Sequence, residues 1–346
     1  LLLTTLGLAI AYFANPVIQL YESTNNFHIM IILRVIIGLF SGNVAVAFAC
    51  GVDLSSNSIE TRRKVMALMG TVIGLGFMLG PTLGGVFSEL TDTKSIAPFY
   101  FAAVASLISL ALVLVIYNES LPKYSSKALL NNEIDSIDAR VINKETSILK
   151  QLKFLLTNTK VLIPLLLFVG FFFTFTGFEV YLITIVMAEQ LKLSQLAIGL
   201  FWTSFAFCNS FFQFALLKVA KMRQALIWGF FIYAIGIFSY ILTSTSIWWV
   251  LISMILCAIG IGFVLPNISA AVSLEGTPHQ QGLIFGINQS FGAVGRFLGP
   301  FLLGWLFTIF NTVNVVWIFM GALMLLQAIV VIKSMPKEYE AKKVKI

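Results

Sequence analysis

The chain has 346 residues, 59% hydrophobic and only 11% charged, against about 25% charged in an ordinary soluble domain. Its net charge of +7 would point to nucleic acid in a soluble protein, but here the basic residues fall between long apolar runs. That pattern excludes a nucleic-acid partner and makes the lipid bilayer the expected one.

A helix needs about 20 apolar residues to cross a bilayer. In chain order the runs predict ten such spans, at about 2–20, 28–50, 66–88, 97–117, 160–187, 196–218, 225–243, 247–269, 283–309 and 312–333. The first run starts at residue 1 without Met and without a basic leader, so it does not read as a signal peptide. Cys50, Cys208 and Cys257 lie singly inside apolar runs, and the two histidines, His28 and His279, are far apart. Neither a disulfide nor a metal site is indicated. The longest polar stretch, 118–159, is expected to be a cytoplasmic linker between an N-terminal half (1–117) and a C-terminal half (160–335), with a cytoplasmic tail at 336–346. Within the linker, Ile134, Ile137, Val141, Leu149, Leu152 and Leu155 recur at near-helical intervals. They predict an amphipathic helix on the membrane surface, with a regulatory segment as the alternative.

Loop charges predict orientation. With residue 1 inside, segments 51–65, 118–160, 218–224, 270–282 and the tail counted from Lys333 hold 3, 7, 3, 0 and 5 Lys or Arg residues, whereas the opposite loops hold only Lys94 and Lys192. The tail is therefore expected in the cytoplasm. Arg34 and Arg296 lie inside spans.

An internal repeat relates the halves. GFMLGPTLGG (76–85) falls on GRFLGPFLLG (295–304) at an offset of 219, matching Gly76 to Gly295, Gly80 to Gly299, Pro81 to Pro300 and Gly85 to Gly304. The same offset carries residue 1 onto residue 220, so spans five and six have no partner at the front. The expectation is a first half short by two helices. Parallel repeats of this kind are one transporter design.

GFMLGPTLGG resembles the antiporter signature gxxxGPxxGG of the major facilitator superfamily at every defined position. VDLSSNSIETRRKVMALMG resembles the loop before that helix in drug:proton antiporters, and ILRVIIGLFSG resembles the fourth-helix pattern of Arg followed by small residues. The resemblance implies an all-α membrane protein of the major facilitator fold, with ten of twelve transmembrane helices and two pseudo-symmetric halves. It implies proton-coupled export of small amphiphilic compounds by alternating access, in the cytoplasmic membrane, with protons and a small-molecule substrate as partners. Two alternatives are a metabolite transporter of the same fold and a truncated membrane protein that does not transport. A monomer is expected. No nucleotide loop, metal cluster or nucleophile–base pair suggests an enzyme. No cofactor is expected, the drive being a proton gradient.

Specific residues carry further expectations. Gly76, Gly80 and Gly84, spaced four apart, form one helix face, and Pro81 removes a backbone hydrogen bond. With Gly85 they predict a smooth seam or hinge against the other half, or else simple tight packing. Glu179 is the one carboxylate well inside a span, where a charge costs about 2.5–3.5 kcal/mol. It reads as a proton or cation site, or as a structural acid wetted near the outer surface. Arg34 reads either as a residue reaching for the outer surface or, as the family pattern implies, as a cavity-facing cation. Asp53, with Arg62 and Arg63 nearby, is expected at the inner face, either in the charge cluster that the resemblance implies with the loop after the family's second helix or as an ordinary solvated charge. Phe175 on span five, and Trp202, Phe205, Asn209 and Gln213 at helical spacing on span six, suggest a cavity wall with Asn267 and Asn288. Ordinary packing or lipid contact is the alternative. Arg296, which the repeat aligns with Phe77, is expected beside the second glycine seam, paired with an acid or a lipid phosphate.

Overall fold

The structure is a computed structural model that describes residues 2–19, 26–53, 59–90, 97–116, 157–217, 221–245, 247–274 and 281–335. The surface helix expected at 134–155, most of the linker and the tail at 336–346 lie outside the described residues.

The described residues are helical apart from short connections, with no strand among them. The first half contains α1 (Leu2–Gln19), α2 (Asn26–Phe40), α3 (Asn43–Asp53), α4 (Ile59–Leu90) and α5 (Ala97–Ile116). The second contains α6 (Thr159–Tyr181), α7 (Gln195–Leu217), α8 (Met222–Ser239), α9 (Ile247–Leu274), α10 (Gln281–Phe310) and α11 (Val313–Ser334). Among the described residues, nine helical segments are long and apolar enough to cross a membrane, α2 and α3 counting together as one, and α1 adds a shorter apolar stretch, Thr4–Ala14. Their outward faces are apolar, as at Val115 and Phe297. That arrangement suits a lipid solvent, in which each helix must satisfy its own backbone.

Local chemistry shapes two spans beyond what hydropathy predicts. The span expected at 28–50 breaks at Ser41–Gly42 into α2 and α3. The Ser41 hydroxyl donates to the Gly38 carbonyl at 2.7 Å, and the Val44 N–H donates to the Asn43 side-chain oxygen at 2.9 Å. These short polar side chains compete with the helix for its backbone partners. Span five continues past α6 as a π-helical turn, Leu182–Gln190. At its start, Asn158 caps α6 by accepting from the Lys160 N–H at 3.0 Å. Asn311, with φ 49, ends α10, in a left-handed conformation that Asn tolerates.

The sequence repeat is also a repeat of packing. In the first half α1 packs on α2 and α5, and α4 packs on α3 and α5. Shifted by 219 residues, these pairs become α8 on α9 and α11, and α10 on α9 and α11, and all four contacts are present. Between the halves, α4 meets α9 and α3 meets α10. These two contacts exchange under the same offset, as a pseudo-two-fold axis requires. A third seam, α4 along α7, is the most extensive contact between the halves.

Candidate functional site

The second half is built around an aromatic cluster. Phe178 on α6 is fully buried, and its ring lies 5.4 Å from Tyr240, 6.1 Å from Phe205, 6.2 Å from Trp202 and 6.5 Å from both Tyr233 and Trp317. Most of these contacts are edge-on or tilted, the arrangement that ring quadrupoles favour. Trp202 and Phe205, expected on a cavity wall, are buried in this cluster. The Tyr233 hydroxyl and the Trp202 indole N–H are buried without hydrogen-bond partners. Leaving such groups unbonded is costly in an apolar interior.

Glu179 follows Phe178 and sits at the edge of the cluster, half-buried and within electrostatic reach of the Tyr233 phenol. Among the described residues it has no cationic partner. Phe172, Phe175 and Glu179 lie along one face of α6, since seven residues make almost two full turns. All three are half-buried, so this face is only partly covered. Phe175 stacks on Phe171 at 6.0 Å and meets Phe172 edge-on at 6.2 Å.

The cationic end of this face comes from α10. Gly295 and Gly299 lie so close to α6 that a Cβ at either would fall 2.3 Å from a backbone oxygen, of Val169 and Phe173 respectively. Only glycine permits that approach. It places the half-buried Arg296 with its guanidinium carbon 4.5 Å from the centre of the Phe172 ring. Pro300 lies within the same helix, and Gly304 faces the Tyr181 hydroxyl at 3.7 Å from its would-be Cβ.

The amides separate into different environments. Asn209 donates to the Ala258 carbonyl of α9 at 3.1 Å, and Asn267 donates to Phe263 in its own helix at 2.6 Å. Asn288 is buried with its side-chain oxygen unbonded. Gln213 crosses between the halves and donates to the Ala67 carbonyl of α4 at 3.0 Å.

The seam between α4 and α7 differs from the expected glycine seam. At Gly76, Gly80 and Gly84 nothing lies within 4 Å of an added Cβ. The close approaches are at Gly70, Gly74 and Gly85, against Gln213, Ser210 and the Gln195 backbone. The reason is helical phase: two residues turn the helix by about 200°, so the expected face points away from α7. The seam also carries hydroxyls that the sequence analysis missed. The Thr82 and Thr203 hydroxyls hydrogen-bond each other. The Met78 carbonyl lies 2.6 Å from the Thr203 hydroxyl and the Gly199 carbonyl 3.1 Å from that of Thr82, and since each hydroxyl has one proton, two of these three hydrogen bonds form at a time. Partners 121 residues apart leave no local spacing signal. Pro81 lies within α4, and its carbonyl closely approaches Gly199.

Arg34 is exposed on α2, which packs on α1 and not on the elements that carry Glu179. Asp53, Arg62 and Arg63 have helical backbones, but their side chains lie outside the described residues.

Comparison with known proteins places this arrangement in a family. The chain is 23% identical over 291 residues to the quinolone resistance protein NorA of Staphylococcus aureus, covering 82% of this chain and 68% of NorA. It is 24% identical over 312 residues to major facilitator superfamily domain-containing protein 10 of Mus musculus, covering 87% of this chain and 64% of that relative. Among solved structures, the human organic anion transporter MFSD10 (TETRAN) superposes with a TM-score of 0.73 at 22% identity, covering 95% of this chain and 76% of that one. The proton:xylose symporter XylE superposes with a TM-score of 0.72 at 13% identity, covering 97% and 79%. The family model of the Major Facilitator Superfamily matches residues 1–273 and 166–346. With its helix order, its repeated packing and this match over its whole length, the chain belongs to the Major Facilitator Superfamily, whose members are transporters and not enzymes.

Proposed function

We propose that the protein exports small amphiphilic, drug-like compounds in exchange for protons, alternating between inward- and outward-open states. The observation that carries this reading is Glu179, a carboxylate within a membrane span, half-buried beside an aromatic cluster and without a cationic partner among the described residues. An ionised acid there is costly, and protonation removes the charge. A cationic substrate can neutralise it equally well. Proton and substrate then compete for one group, the minimal requirement for exchange. The aromatic rings beside Glu179 offer an apolar and cation-attracting surface. The antiporter signature on α4 and the similarity to NorA support export over uptake.

The proposal further takes the drive to be a proton gradient with no cofactor and the protein to be a monomer in the plasma membrane, and the loop charges support a cytoplasmic tail. A quinolone and ethidium serve as probes. In proteoliposomes with an imposed pH gradient, Glu179→Gln is expected to lower proton-driven efflux at least tenfold. Retained gradient-driven efflux in that variant would overturn the role of Glu179. A wild-type protein that moves neither probe but moves a sugar would favour metabolite transport instead.

A further inference from the structure

Arg296 is the second charge on the same aromatic face. It stands 15 residues from Gln281 and 14 from Phe310, the ends of α10. At 1.5 Å per residue that is roughly 21–23 Å from either end, which puts it near the middle of the helix and away from the lipid phosphates at either surface. It has no hydrogen bond or ion pair among the described residues, and its one polar contact is the face of Phe172. A guanidinium presents five donors and no acceptor, and a ring face satisfies none of them strongly. Within a span such a group calls for an anion.

The register of the helices places this demand relative to Glu179. α6 and α10 run parallel: Gly292 meets Phe168, Gly299 meets Phe173, and Leu303 meets Gly177. Arg296 is therefore level with Phe172. Glu179 lies two turns further along α6, roughly 10 Å away along the axis, and Phe175 lies between them. On α10, Arg296 shares its face with Phe285, eleven residues earlier, and Phe285 stacks against Phe48 of the first half at 5.6 Å. By the same phase Arg296 shares its face with Leu303, which packs on Gly177, so this face lies along α6 and touches the first half at Phe285.

We propose that Glu179, Phe172, Phe175 and Arg296 form one bipolar subsite for an aromatic zwitterion, with the cationic nitrogen at Glu179, the carboxylate at Arg296 and the aromatic body along the two phenylalanines. The bidentate geometry of a guanidinium matches a carboxylate. This inference deepens the export reading by naming its substrate class, and rests on it. A ligand lacking the carboxylate keeps the Glu179 and aromatic contacts and loses only those at Arg296.

The test uses rhodamine 110, a fluorescent zwitterion, and rhodamine 123, its methyl ester and a cation. Binding to the purified full chain is measured by fluorescence anisotropy, and transport separately in proteoliposomes. Arg296→Gln is expected to weaken rhodamine 110 binding about tenfold and to leave rhodamine 123 within twofold. Arg296→Lys is expected to recover part of the rhodamine 110 affinity. Equal weakening of both dyes in Arg296→Gln, or unchanged binding of both, would overturn the subsite. Wild-type protein that discriminates the dyes through Arg296 in binding, but transports neither, would support the subsite and overturn the export reading.

Discussion

At the residue scale, the site is defined by polar groups left unsatisfied in an apolar setting. Glu179, Arg296, the Tyr233 hydroxyl and the Asn288 carbonyl each lack an ion-pair or hydrogen-bond partner among the described residues. Tyr233 allows a direct check. A buried hydroxyl without a partner pays its desolvation for no return, so Tyr233→Phe is expected to keep or raise thermal stability, by up to about 1–3 kcal/mol. A melting-temperature series in detergent measures this, and a clear drop would mean that the hydroxyl is bonded in the folded protein. Glu179 was legible in the sequence because an acid in an apolar run stands out. Tyr233 was not, because a tyrosine in an apolar run is ordinary and only its neighbours show that its hydroxyl is stranded.

At the element scale, the repeat-related helices α4 and α10 share a motif and use it differently. Gly299 lies against the Phe173 carbonyl of α6, whereas its counterpart Gly80 has nothing within 4 Å of an added Cβ. Gly299→Ala is expected to force the helices apart and cost about 1–3 kcal/mol. Gly80→Ala is expected to be tolerated in this chain and to gain up to about 1 kcal/mol from helix propensity. Melting temperatures of the two purified variants decide the point, and equal destabilisation would contradict the asymmetry. The motif itself was readable from one sequence. Which glycines touch a neighbour was not, because the answer depends on helical phase and on what lies across the gap.

At the scale of the whole molecule, the halves are joined by a polar seam running the length of α4 and α7. Gln213 reaches Ala67 near one end, and Thr82 pairs with Thr203 toward the other. In the proposed alternating-access cycle, rocking one half against the other would loosen one end of this seam. Replacing Thr82 and Thr203 by cysteine, with Cys50, Cys208 and Cys257 removed, is expected to yield an oxidised crosslink that slows transport at least fivefold and is reversed by reductant. Undiminished transport in the crosslinked protein would mean that α4 and α7 remain a fixed pivot through the cycle.

Spans, loop charges and the 219-residue repeat were set by the sequence itself, because each rests on a local quantity. Hydropathy over about 20 residues decides whether a helix is stable in lipid, and a duplicated motif is visible wherever it falls. All ten expected spans coincide with helices, apart from the break at Ser41–Gly42 and the π-helical extension to Gln190. Tertiary structure alone decided the pairings: Gln213 with Ala67, Thr82 with Thr203, Arg296 over Phe172, and an open face at Gly76, Gly80 and Gly84. Each residue turns a helix by about 100°, so a side chain's neighbour depends on the phase and tilt of two helices at once. No local pattern contains that information.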